Sequence, residues 1–131
     1  MTIQAPFNLD TWLDTNRDQL KPPVGNKLLY EQPGMIAQMI GGPNTRVDFH
    51  DDPVEEYFHQ MRGDMILKIA DRGKIFNVPI KEGEVFIIPA HCRHSPQRPE
   101  PGSMGWKSSS TTTTLSFISH WGLASSPSSS S

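Results

Sequence analysis

Apolar side chains return along this chain with two periods, and the change from one to the other divides it. Leu9, Trp12, Leu13 and Leu20 fall at helical spacing. Asn8 or Asp10 stands where it can cap the first turn, and Pro22-Pro23 stops the run. The pattern predicts a short helix over residues 9–20. After Pro23, short segments rich in β-branched and aromatic residues alternate with Gly, Pro and Asp. They predict strands over residues 27–31, 35–40, 46–50, 55–61, 64–70, 74–78 and 84–88. Asp71-Arg72-Gly73 reads as a hairpin turn between two of them. Short strands with turns this close together predict an all-β antiparallel sandwich or barrel. No internal repeat is visible.

Both periods fade near Trp106. From there to the end, 15 of 26 residues are Ser or Thr, and no charged residue follows Lys107. Such a stretch has too few large apolar groups to offset the entropy of ordering it, so it predicts disorder. Leu115, Phe117, Ile118, Trp121 and Leu123 are the only candidates there for a sticky patch, and His120 carries no meaning in that setting. The expected organisation is a folded domain over residues 1–105 and a Ser/Thr-rich tail over 106–131.

Composition narrows the function classes. The 131 residues suffice for one domain. Twelve Lys and Arg stand against fourteen Asp and Glu, a net charge of −2. That near-balance gives no electrostatic case for nucleic acid or for a membrane surface. No apolar run approaches the roughly 18 residues of a membrane helix, and the N-terminus lacks the basic-then-apolar pattern of a signal peptide. A soluble, cytoplasmic protein is expected. The single cysteine, Cys92, excludes an intramolecular disulfide and a CxxC zinc site.

The candidate chemistry lies in His50, Glu56 and His94. Taken singly, each reads as a surface or hydrogen-bonded side chain. Together, two imidazoles and one carboxylate form the donor set that suits ferrous iron, because three neighbouring positions stay open. On a strand, Arg46 and Asp48 would share the face of His50, as Phe58 and Gln60 would share that of Glu56. His59 then falls on the opposite face. His91 reads as a turn residue, Cys92 as too close to His94 to replace it, and Asp51 and Asp52 as a solvated turn. One of these two aspartates could orient His50.

Two segments sharpen this reading. HDDPVEEYFHQMRG (50–63) and GEVFIIPAHCRH (83–94) resemble the two motifs of the cupin superfamily, with Glu56, Gly63, Gly83, Pro89 and His94 at the motif spacing. LKPPVGN (20–26), GGPNTR (41–46), HDDPVEE (50–56) and HSPQRPE (94–100) further resemble the 3-hydroxyanthranilate 3,4-dioxygenases, over about residues 5–105. The resemblance implies a cupin-type jelly-roll barrel with Fe(2+) held by His50, Glu56 and His94. It also implies that Arg98 grips the substrate carboxylate and that Arg46 sits beside the dioxygen site. Asn26 lies in a pocket-lining motif without an assigned role. A guanidinium can hold a carboxylate by two parallel hydrogen bonds, which fixes a planar aromatic acid in one orientation.

The implied reaction opens the ring of 3-hydroxyanthranilate with dioxygen to give 2-amino-3-carboxymuconate semialdehyde, on the kynurenine route from tryptophan to quinolinate and NAD. A homodimer stays open as the partner state. Two other readings also stay open: a metal-binding cupin without activity, and a cupin enzyme with a different substrate. The departure from the family comes after Gly105. The family continues into further strands, one carrying a second substrate-contacting glutamate, whereas no Asp or Glu follows Glu100 here. An abrupt switch of this kind is what a frameshift or reading through an intron would produce. The expectation is therefore a barrel incomplete at its C-terminus, with little or no ring-cleaving activity.

Overall fold

Asn8 caps the first helix by accepting the Thr11 backbone N–H at 2.9 Å. The computed structural model describes residues 3–22 and 24–110. Helix α1 runs Leu9–Asn16 and tightens into a 3-10 turn at Arg17–Gln19 before the chain turns at Lys21 and Pro22. The predicted helix is thus present, with its last turn wound more tightly.

Eight strands follow: β1 (Asn26–Gln32), β2 (Met35–Gly41), β3 (Glu56–Arg62), β4 (Met65–Asp71), β5 (Lys74–Ile80), β6 (Val85–Ile88), β7 (Arg93–Gln97) and β8 (Met104–Ser110). They make two antiparallel sheets, ordered β1-β2-β8-β3-β6 and β5-β4-β7. Asp71 pairs with Lys74, and the two residues between them, Arg72 and Gly73, have φ of 52° and 77°. Positive φ at both central positions is what a tight hairpin with right-handed strand twist requires, and Gly meets it without steric cost.

Three expectations change. Residues 46–50 do not form a strand. Backbone bridges join Asn44 to Arg98 and His50 to His94. Six steps of chain on one side therefore face four on the other, and the surplus loops out. Arg46, Val47 and Asp48 are exposed on that loop. The Gln97 side chain takes the place of a strand partner, accepting from the Arg46 N–H at 3.0 Å and donating to its carbonyl at 2.8 Å.

Second, β7 contains Pro96, which hides it from a search for β-branched runs. As an edge strand it needs no N–H on its outer side. Third, Trp106 to Ser110 are not disordered. They complete β8, which lies between β2 and β3 and pairs with both. Ladder hydrogen bonds on two sides stabilise a segment whose side chains bury little. The residues beyond Ser110, on which the rest of the disorder expectation falls, lie outside those described.

Two apolar clusters flank the five-stranded sheet. Between the sheets, Phe58, Met65, Leu67, Ile69, Ile80 and Ile88 pack together. On the outer face, Leu13 of α1 and Leu20 pack against Leu29, Ala37, Met39 and Met104. This outer layer explains the amphipathic spacing of the helix. The inner face carries the chemistry.

Candidate metal centre and anion pocket

Strand pairing, rather than sequence proximity, brings the candidate donors together. His50 and His94 form a doubly hydrogen-bonded backbone bridge, His50 N–H to the His94 carbonyl at 2.8 Å and His94 N–H to the His50 carbonyl at 3.0 Å. Directly opposed residues project to one face, and the rings lie 5.8 Å apart at 73°. Glu56 opens β3 in the other sheet and points inward. Its Oε1 lies 3.1 Å from His94 Nε2, and both side chains are almost completely buried (2% and 1% exposed). Phe58, next on the inward face of β3, meets the His94 ring edge-on at 6.3 Å.

His94 is oriented from behind. Its Nδ1 donates to the Cys92 carbonyl at 2.8 Å, which leaves Nε2 to face the interior. A carbonyl of this kind fixes the tautomer of a metal-bound imidazole. Burial alone would depress the ring's basicity, but the hydrogen bonds to Glu56 and the Cys92 carbonyl outweigh it, and the His94 pKa is raised. For Glu56, burial likewise works against ionisation. Hydrogen bonds with His94 and Asp52, and the charges of Lys107 and His94, overcome it and hold the carboxyl at about 2.

Asp52 was the residue the sequence undervalued. It is half-buried, not a solvated turn. Its carbonyl accepts the His91 N–H at 2.7 Å, which ties the 50–54 loop to the 89–93 turn. The donor atoms of His50, Asp52 and His94 all lie within 4.8 Å of one another. The hydrogen bond shared with Glu56, then burial, raises the Asp52 pKa. The two imidazoles with these carboxylates fit a divalent metal ion by donor type and by the orientation of His94.

Arg98 lies on the inner side of the β7 exit and is 1% exposed. Its Nε and Nη2 have no hydrogen-bond partner among the described residues, and neither has Oε1 of the neighbouring Gln60. Burial pulls the guanidinium pKa down to about 10. Arg46 stands apart, on the loop. It grips Asp48 with two nitrogens at 2.7 and 3.0 Å, and Asp48 in turn lies 3.5 Å from His50 Nε2. Asn26 is exposed at the start of β1.

His59 lies on the outer face, opposite Val85 and Trp106, away from Glu56. His91 has a φ of 62° in its turn and pairs with Asp51 at 3.2 Å. Sequence reasoning allowed Asp52 no more than an orienting part and missed Lys107. Its register opposite Phe58 turns it inward, and its Nζ lies 3.6 Å from Glu56 Oε1. In a run reading WKSSS only the inward-outward alternation of a strand could have pointed to it.

Two antiparallel sheets enclosing a pair of imidazoles and a buried carboxylate define a cupin-type fold with a candidate metal centre. Solved structures agree on the fold. A cupin-2 domain containing protein from Shewanella frigidimarina superposes with a TM-score of 0.59 at 19% identity, covering 80% of this chain and 94% of that one. A Bacillus halodurans protein reaches 0.65 at 10% identity, covering 81% and 80%. The family model for 3-hydroxyanthranilic acid dioxygenase matches residues 1–106. The chain belongs to that family. The 3-hydroxyanthranilate 3,4-dioxygenase of Jannaschia sp. is 56% identical over 105 residues, and its Shewanella woodyi counterpart 53% over 105. Each alignment covers 80% of this chain, but only 58% and 56% of the relative. The chain thus spans well under two thirds of the curated relatives it matches. No helix among the described residues is long and apolar enough to cross a membrane.

Proposed function

We propose that this chain carries the ring-opening site of a 3-hydroxyanthranilate 3,4-dioxygenase, acting on 3-hydroxyanthranilate and dioxygen with Fe(2+). The carrying observation is Arg98. A buried guanidinium with two unpartnered nitrogens is costly unless an anion completes it. A substrate carboxylate supplies that anion and accepts bidentate bonds from the planar fork. His50 and His94 would hold the iron together with a carboxylate from Glu56 or Asp52. Bound there, ferrous iron supplies a centre at which a catechol-like substrate and dioxygen can react.

The protein's own share is positioning. Arg98 fixes the acid end of the ring, and Gln60 and Gly105 shape the wall behind it. The Cys92 carbonyl holds the His94 ring, and Phe58 excludes water beside it. Arg46 stands near His50 only by way of Asp48, the carboxylate that pairs with it and lies 3.5 Å from His50 Nε2. The product of this reaction is 2-amino-3-carboxymuconate semialdehyde, a precursor of quinolinate.

A second reading, a metal-binding cupin without turnover, draws on Lys107, which sets a cation against the buried carboxylate. One experiment separates the two. The purified chain is loaded anaerobically with Fe(2+), mixed with 3-hydroxyanthranilate and ¹⁸O-labelled dioxygen, and its products are analysed by mass spectrometry. Turnover gives a ring-opened product carrying both labelled oxygens. Unchanged substrate, with iron bound, establishes the second reading instead.

A further inference from the structure

Gln60 is buried on the inward face of β3, two residues on from Phe58, and its neighbours fix the direction of its amide. Nε2 donates to the Arg62 carbonyl at 3.0 Å and to Ser103 Oγ at 2.8 Å. A carbonyl only accepts, and the Ser103 hydroxyl donates its own proton to the Asp64 carbonyl at 3.2 Å. Both contacts therefore demand the amide nitrogen, so Oε1 must face the other way. There it has no hydrogen-bond partner among the described residues.

Arg98 borders the same space. Gly105, paired with Gln60 across β8 and β3, leaves open a point 2.5 Å from Arg98 Nη2 and 2.7 Å from Gln60 Oε1. Two atoms so close to one point are neighbours, yet no hydrogen bond joins them. The unpartnered guanidinium atoms, Nε and Nη2, form one edge of its plane. A carboxylate meets such an edge with two parallel bonds, taking the Nε proton and one of the two on Nη2. The second Nη2 proton points past the carboxylate and needs an acceptor of its own, since a buried donor left without one is destabilising.

We infer that Gln60 Oε1 is that acceptor, and that Gln60 is the positioning residue of Arg98, holding the guanidinium edge toward the substrate carboxylate. One bound carboxylate and one internal hydrogen bond then satisfy all three orphaned atoms. In this role Gln60 need touch neither substrate nor metal; it acts through the orientation of the arginine. The inference rests on the carboxylate-binding part proposed for Arg98, and names what aims it.

Calorimetric titration of the Fe(2+)-loaded chain under nitrogen tests it without turnover. The two ligands are 3-hydroxyanthranilate and 2-aminophenol, which lacks the carboxylate. The readout is the ratio of their dissociation constants, which a merely structural loss would leave unchanged. Gln60→Met should cut the parent's preference for the carboxylate-bearing ligand by about tenfold, with 2-aminophenol nearly unaffected. In an Arg98→Leu background the same substitution should change neither affinity, because the group it positions is gone. Ser103→Ala, which deletes only the hydroxyl that turns the amide, should cut the preference by about threefold, and it serves alone if Gln60→Met fails to fold. A preference unchanged in a folded variant, or equal losses for both ligands, overturns the inference and leaves the part of Arg98 standing. So does an undiminished loss in the Arg98→Leu background. A parent chain that binds 3-hydroxyanthranilate no more tightly than 2-aminophenol overturns the carboxylate reading, and this inference with it.

Discussion

Gly105 lies so close to the Arg98 guanidinium that a Cβ at this position would stand 2.5 Å from Nη2, and 2.7 Å from Gln60 Oε1. The absence of a side chain on β8 is therefore what admits the arginine to the interior. Gly105→Ala should force the guanidinium or the central strand to move. Overpacking of this kind costs about 1–3 kcal/mol, read as a lower urea midpoint with an unchanged slope. A variant as stable as the parent would show that the arginine has room to spare.

Arg98 itself should show opposite effects on stability and binding. Arg98→Leu removes an unpaired buried charge, so the ligand-free chain should melt at the same or a higher temperature. The same change should weaken 3-hydroxyanthranilate by about 1.5–3 kcal/mol, roughly tenfold or more, while leaving 2-aminophenol, which lacks the carboxylate, nearly unaffected. Equal losses for both ligands would assign Arg98 a purely structural part.

The buried acid-base cluster should give the chelator-treated chain a stability maximum in mildly acidic solution. Glu56 is held at about 2 against an ordinary 4.5, so its contribution is present above 4.5 and lost as the pH falls toward 2. His94 is raised above its ordinary 6.5, so its contribution is present below 6.5 and lost as the pH rises through the folded value. Asp52, also raised, adds to the decline on the alkaline side of its own ordinary 3.8. The Glu56 shift corresponds to about 3 kcal/mol, shared with its partners. Urea midpoints should peak between pH 4.5 and 6.5, and Glu56→Gln should flatten the acid side. A profile still rising from neutral pH toward about 9, below the range in which Arg98, lowered to about 10, adds a rise of its own, would contradict the pairing.

The helix should matter through packing more than through its own propensity. Leu13 is completely buried beneath α1, and Leu13→Ala should cost about 2–5 kcal/mol. Asn8→Ala, removing the cap, should cost about 1 kcal/mol. Thermal melts that rank these two in the reverse order would show that α1 is held by its cap and only rests on the sheet.

The sequence by itself determined the local elements wherever periodicity and side-chain type agreed. α1 with its Asn8 cap, the Asp71–Lys74 hairpin and the strands around Glu56 were legible because each is decided within a few residues. The family motifs likewise marked His50, Glu56, His94 and Arg98 by their spacing along the chain. Tertiary structure decided what depends on partners distant in the chain. Residues 46–50 alternate like a strand, yet two surplus residues between the Asn44–Arg98 and His50–His94 bridges loop them outward. Ser108, Ser109 and Ser110 read as tail, yet they lie in a sheet because β2 and β3 supply hydrogen bonds from both sides. The same placement sets Lys107 against Glu56. Which side chains meet on the inner face is fixed by the register of strands from opposite ends of the chain, a relationship that no local pattern records.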